Sequence, residues 1–289
     1  MRILLFLGTN MAILLLVSII IQVFGVDQWL YNSTGLNYGS LLLFCAVFGM
    51  GGSMVSLLMS KTMAKRSMGV RIISQPQNST EQWLFDTVQQ QAQEVGITMP
   101  EVGIFPSEAA NAFATGASKN KALVAVSEGL LYSFDKEAVK AVMGHEMAHV
   151  ANGDMVTMSL LQGVLNTFVL FFARIVGHII DRTVFKNERG NGIGSFLISM
   201  VAQVVFGFLA SIIVCWFSRY REFRADEGGA ALAGRDNMIL ALQSLQRDDQ
   251  PVQMTEQLAA FGIRSANLKA LFATHPPLEK RIAHLKTLV

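Results

Sequence analysis

Four apolar stretches, Ile3–Phe24, Leu36–Met59, Met158–Ile180 and Ile193–Phe217, each run for 22 residues or more without a proline. About 20 apolar residues suffice to cross roughly 30 Å of hydrocarbon as a helix. Buried helices of soluble proteins average only about 11–12 residues. Four membrane segments are therefore expected. Composition agrees: charged residues are 15% of the chain and hydrophobic residues 52%, where soluble domains carry about 25% charge. Disorder is excluded by the same imbalance. A net charge of +2 gives no field for nucleic acid. The two cysteines, Cys45 and Cys215, lie apart in apolar runs, which excludes a disulfide framework and speaks against a cysteine zinc site.

The apolar core of Ile3–Phe24 is longer than that of a signal peptide and no Ala-x-Ala site follows, so a retained anchor is expected. Met158–Ile180 carries Arg174 and His178, and Arg174 is expected to snorkel or to face protein. Lys61, Lys65, Arg66 and Arg71 follow the second stretch, and Arg219, Arg221 and Arg224 follow the fourth, whereas Asp27–Tyr38 holds no Lys or Arg. The positive-inside rule then puts both termini and Lys61–Thr157 in the cytoplasm. Arg182, Lys186 and Arg189 in the loop 181–192 run against this pattern, leaving a shallow hairpin open. The sequons at Asn32 and Asn78 are read as chance.

The expected organisation is two N-terminal membrane helices (1–59), a first water-exposed block (60–157), a membrane hairpin (158–217) and a second block (218–289), the two blocks packing as one domain. Thr80–Val95 has helical spacing, and Pro100–Pro106, Asn111–Thr115 and Ala122–Ser127 read as strands, the last two as a hairpin. Ser133 or Asp135 is expected to cap a helix reaching at least Val150. Helices are expected at Arg219–Leu232, Asp236–Gln246, Asn267–Phe272 and Pro277–Leu288.

Within that long helix stands His145-Glu146-Met147-Ala148-His149. Positions i and i+4 share a helix face, so two imidazoles can hold one zinc ion, and Glu146 can take a proton from a water that the ion acidifies and pass it to the leaving amine. A catalytic zinc needs a third protein ligand. No third histidine follows at short spacing. Glu222 is the candidate, with Asp226 one turn on to orient a ligand histidine. The alternative is a basic helix beside the membrane with compensating acids. His178 and His284 are read as structural.

The pieces NAFATG at 111–116, VAVSEGLL at 124–131, GHEMAHVANGDM at 144–155, SRYREFRAD at 218–226 and THPPLEKRI at 274–282 give the chain a resemblance to the HtpX heat-shock protease family. These are bacterial inner-membrane zinc metallopeptidases related to the CAAX prenyl endopeptidases. The resemblance implies a mainly α fold with a small β-sheet, a four-segment membrane protein with a zincin-like cytoplasmic domain. It implies one Zn2+ on His145, His149 and Glu222, with Glu146 as general base and Asp226 behind the ligands. Asn111, Ala112, Phe113, Ala114 and Thr115 would pair with an extended substrate, or form an ordinary strand. His275 and Arg281 would stabilise the oxyanion, or be a histidine before a helix and a surface arginine. Asp154 matches a family position without an assigned role.

The function expected is endopeptidase cleavage of misfolded or damaged membrane proteins at the cytoplasmic face of the inner membrane, with protein substrates and the bilayer as partners. Processing of one peptide or lipidated tail is a second reading. A non-enzymatic zinc sensor or scaffold is a third, opposed by Glu146, which zinc binding alone does not need.

Overall fold

Tyr38–Ser67 contains no proline and is rich in Leu, Met and Phe, so it folds as one uninterrupted helix, α1. The computed structural model describes residues 37–187, 192–247 and 271–288. The expected span Ile3–Phe24, and Asn267–Phe272 apart from its last two residues, lie outside them. The order continues with β1 (Arg71–Ile72), α2 (Ser79–Glu94), β2 (Glu101–Phe105), β3 (Ala112–Gly116), β4 (Ala122–Ser127), α3 (Glu128–Ser133) and α4 (Lys136–Asn152). Then come α5 (Asp154–Thr183), α6 (Ile193–Ala233), α7 (Arg235–Arg247) and α8 (Leu278–Thr287). The mainly α architecture with a small mixed sheet is the one expected.

The described residues within Met1–Ser56 and Thr157–Val214 form one compact unit, and those within Leu57–Val156 and Cys215–Val289 a second. Three helices among the described residues, α1, α5 and α6, are long and apolar enough to cross a membrane. Inside the first unit they meet through small residues: a Cβ on Gly49 would stand 2.6 Å from Thr167 N, and one on Gly177 2.1 Å from Ser199 Oγ. The backbones come close enough for Ser159 Oγ to donate to Ser53 O at 2.9 Å. Van der Waals contact of this kind replaces the hydrophobic effect in lipid. Arg174 is exposed, with its guanidinium 5.4 Å from the Phe44 ring centroid.

In the second unit the strand order is β1-β2-β4-β3. β2 and β4 run parallel, while β1–β2 and β3–β4 are antiparallel. The expected hairpin is present, with Ala112 opposite Val126 and Gly116 opposite Ala122. Gly116 turns the chain at φ 147°, and a Cβ there would lie 2.4 Å from Lys121 O, so the turn requires glycine. β1 and α3 were not expected. α3 is too short for a periodic signal, and Ser127 caps it by accepting from Leu130 N. Asp135 occupies the position before α4 but makes no side-chain cap bond. Leu84, Val88, Val124, Met143, Met147, Met238, Leu242 and Leu285 bring α2, the sheet, α4, α7 and α8 into one core.

Asn78, read from sequence as part of a chance sequon, caps α2: its Oδ1 accepts from Glu81 N at 2.8 Å. Glu81 in turn accepts from Gln77 N at 2.9 Å and Arg71 at 2.8 Å, tying β1 to the helix start. The Gln77 N–H and then Arg71 hold the Glu81 carboxyl below the usual glutamate range, against burial. A depressed folded pKa stabilises above the unfolded value of about 4.3 and fades as pH falls through the folded one. Glu81→Gln is therefore expected to cost about 1 kcal/mol at pH 7. The difference between the two melting temperatures should shrink once pH drops below about 4.

Candidate metal centre

α4 buries Val139, Met143, Met147 and Val150 in the core, which leaves His145 and His149 together on another face. Their Nε2 atoms stand 3.2 Å apart. Each Nδ1 meets a carboxylate instead: His145 Nδ1 is 2.9 Å from Asp226 Oδ1, and His149 Nδ1 is 2.6 Å from Asp154 Oδ2. A carboxylate next to Nδ1 places the ring proton there and turns the Nε2 lone pair outward. Two lone pairs then face each other, an arrangement that suits a cation between them.

Glu222 completes the set. Its Oε1 is 3.4 Å from His149 Nε2 and its Oε2 3.6 Å from His145 Nε2. Ligands about 2.0–2.1 Å from a tetrahedral ion stand about 3.3 Å from one another. One donor atom from each of His145, His149 and Glu222 lies within 4.8 Å of the others. Glu222 Oε2 is buried without a hydrogen bond. The donor set therefore fits a metal.

The helix expected at Arg219–Leu232 is present, as the end of α6, which runs unbroken from Ile193 to Ala233. Neither proline nor glycine stands between Phe217 and Asp226 to break it. At 1.5 Å per residue α6 is about 60 Å long, twice the hydrocarbon thickness. Gly228 and Gly229 let this end approach α4. A Cβ on Gly228 would be 2.5 Å from Ala148 Cβ, and one on Gly229 3.0 Å from His145 N. Glycine pairs inside a helix carry a packing signal, and here it is backbone contact between the two helices that carry the candidate ligands.

Glu222 is 4% exposed and Asp226 fully buried. Burial alone would favour their neutral forms. His149, His145, His275 and Arg281 nevertheless lower Glu222 to about 2, and Arg281 and His145 lower Asp226. Both are carboxylates at neutral pH, as a cation site requires.

Arg281, on α8, is 5% exposed. Its Nε and Nη2 donate to the two oxygens of Asp226 at 2.8 and 2.6 Å. Its Nη1 is 3.2 Å from Glu222 Oε2. The guanidinium thus faces carboxylates inside the protein and does not lie on the surface; the open side of the cluster, where a side chain next to Glu222 reaches solvent, is elsewhere. His275 sits at that open side, its side chain 63% exposed, with Nε2 3.6 Å from Glu222 Oε1 and Nδ1 3.0 Å from Thr274 Oγ1. Glu146 is half-buried next to His145. β3 is one of the two edge strands of the sheet and packs on α4. It starts at Ala112, so Asn111 precedes it, its N–H donating to Ser127 Oγ at 2.9 Å. His178 is buried within α5, and His284 Nε2 is 2.8 Å from Glu227.

The position of Asp154 follows from Gly153. That glycine ends α4 in the left-handed region at φ 69°, ψ 35°, its N–H bonding back to His149 O and Val150 O. The chain turns within one residue, and Asp154 opens α5 beside His149. Glycine followed by an acid, just past the second histidine, is the sequence signal for this placement.

Residues 78–289 match the model of peptidase family M48. The chain is 60% identical over 291 residues to "Protease HtpX" of Thioalkalivibrio sulfidiphilus (strain HL-EbGR7), covering 99% of each. It is 58% identical to "Protease HtpX" of Hahella chejuensis (strain KCTC 2396), covering 98% of each. The crystal structure of S. mikatae Ste24p shares the fold, with a TM-score of 0.63 at 18% identity, over 98% of this chain and 67% of that one. With the fold, the donor set and these sequences in agreement, the chain belongs to peptidase family M48 and is a membrane metallopeptidase.

Proposed function

We propose that this protein is a zinc endopeptidase of the bacterial inner membrane that cuts misfolded or damaged membrane proteins at the cytoplasmic face, as part of quality control under stress. The observation that carries the reading is the convergence of His145 Nε2, His149 Nε2 and Glu222 next to Glu146. His145, His149 and Glu222 would hold one zinc. When bound, zinc supplies a Lewis acid that polarises the scissile carbonyl and acidifies a water.

The protein's own groups do the rest. Glu146 takes the proton as water oxygen bonds to the carbonyl carbon. It returns that proton to the amine as the C–N bond breaks. His275, at the open side, donates to the oxyanion. Arg281 acts through Asp226 and Glu222, holding both carboxylates in place. The edge strand, with Asn111 before it and Ala112, Phe113, Ala114 and Thr115 within it, pairs with an extended backbone. Backbone pairing suits broad sequence tolerance. The basic residues after the second and fourth apolar stretches support a cytoplasmic site.

The test is a substrate panel with the zinc-loaded chain in proteoliposomes: an unfolded soluble protein, a misfolded membrane protein, its native form and a prenylated peptide. Cleavage of both unfolded substrates, with the native form spared, is expected. Processing of the prenylated peptide alone would replace quality control by dedicated maturation.

A further inference from the structure

We propose that Asp154 and Arg221 are a positioning pair for His149. The proposal rests on the reading of His145, His149 and Glu222 as the zinc ligands. Asp154 lies against the Nδ1 side of His149, not the side that faces Glu222. Arg221, on α6, is 7% exposed. One of its terminal nitrogens is ion-paired with Asp154 Oδ1 and the other donates to the Asp154 carbonyl at 2.8 Å. Its guanidinium also stands 5.4 Å from the Phe217 ring centroid. Arg221 thus fixes both the carboxylate and the backbone of the residue that meets the histidine.

The other ligand histidine has a matching partner chain. Asp226 meets His145 Nδ1, and Arg281 donates to both oxygens of Asp226. The two histidines are served by two separate Arg–Asp pairs, and α6 contributes the base of one and the acid of the other. A carboxylate on Nδ1 selects the tautomer with a free Nε2 and fixes the ring plane, and a neighbouring arginine fixes that carboxylate. An acid at a helix start also has a plain structural use, since Asp in the first turn complements the helix dipole. That use does not require the side chain to bend back 2.6 Å from His149 Nδ1, nor a buried arginine behind it.

The experiment uses the full chain, purified in detergent, stripped of metal and titrated with zinc against a chromophoric chelator. Asp154→Asn is expected to weaken zinc 10–100-fold, and Arg221→Met several-fold. The double variant should lie within about threefold of Asp154→Asn, because the arginine acts through the acid. Zinc affinity within twofold of wild type in both single variants, with a lowered melting temperature of the metal-free chain, would show a helix-start role and overturn the proposal. Should Asp154→Asn not fold, Arg221→Lys decides: about threefold weaker zinc is expected, and unchanged affinity is the contrary result. His149→Ala separates the two levels of inference. Wild-type zinc affinity in that variant would remove the ligand assignment itself, and the pair with it.

Discussion

Glu146→Gln is expected to reduce peptide-bond cleavage by about 10²–10⁴-fold, the range for a lost general acid–base group, while one zinc per chain stays bound. Glutamine keeps the size of the side chain and loses the basic oxygen. Glu146 is outside the donor set of His145, His149 and Glu222, so metal content should not change. Zinc by elemental analysis and initial rates on an unfolded protein are the two measurements. A variant that holds zinc and still cleaves within threefold of wild type would remove Glu146 from the mechanism. Loss of zinc together with activity would make it part of the site's structure instead.

Arg281→Met should have the largest effect on stability. Breaking a buried ion pair from one side costs about 3–5 kcal/mol, because the partner charge stays behind unpaired. Here two carboxylates would lose their arginine and keep only histidine partners, Asp226 fully buried and Glu222 nearly so. Zinc affinity should fall as well, since Asp226 meets Nδ1 of His145 and both His145 and Glu222 are proposed ligands. Lysine restores the charge but not the two-oxygen fork on Asp226, so Arg281→Lys should recover part of the stability only. Thermal unfolding, zinc affinity and kcat distinguish the two roles open to this residue. A large loss of kcat with unchanged stability and zinc affinity would return Arg281 to the oxyanion role considered from sequence.

Much of the site was legible because it is local. His145, Glu146 and His149 lie within one helical turn, so their shared face follows from the 3.6-residue period alone. Glu222 and Asp226 follow the same rule on a second helix. Arg281 shows the limit of that reasoning. Sequence spacing places it one turn into a helix after Pro276-Pro277, but not the direction of its guanidinium. Ile282 and Leu285 anchor α8 in the core with Met238 and Leu242, and this turns Arg281 inward onto Asp226. His275, a few residues earlier, stays at the open side.

The sequence by itself determined the three long apolar helices among the described residues, the helix with its two histidines and the hairpin of β3 and β4, because each depends on periodicity, length or a turn within one short segment. Only the tertiary structure decided which charges meet. Asp154 and Arg221 are 67 residues apart in the chain, and Asp226 and Arg281 are 55 apart. Their pairing depends on an unbroken α6, on the turn at Gly153 and on the glycine contact between α6 and α4. These are long-range packing outcomes, and they bring a carboxylate to Nδ1 of each of the two histidines that the local pattern had already placed side by side.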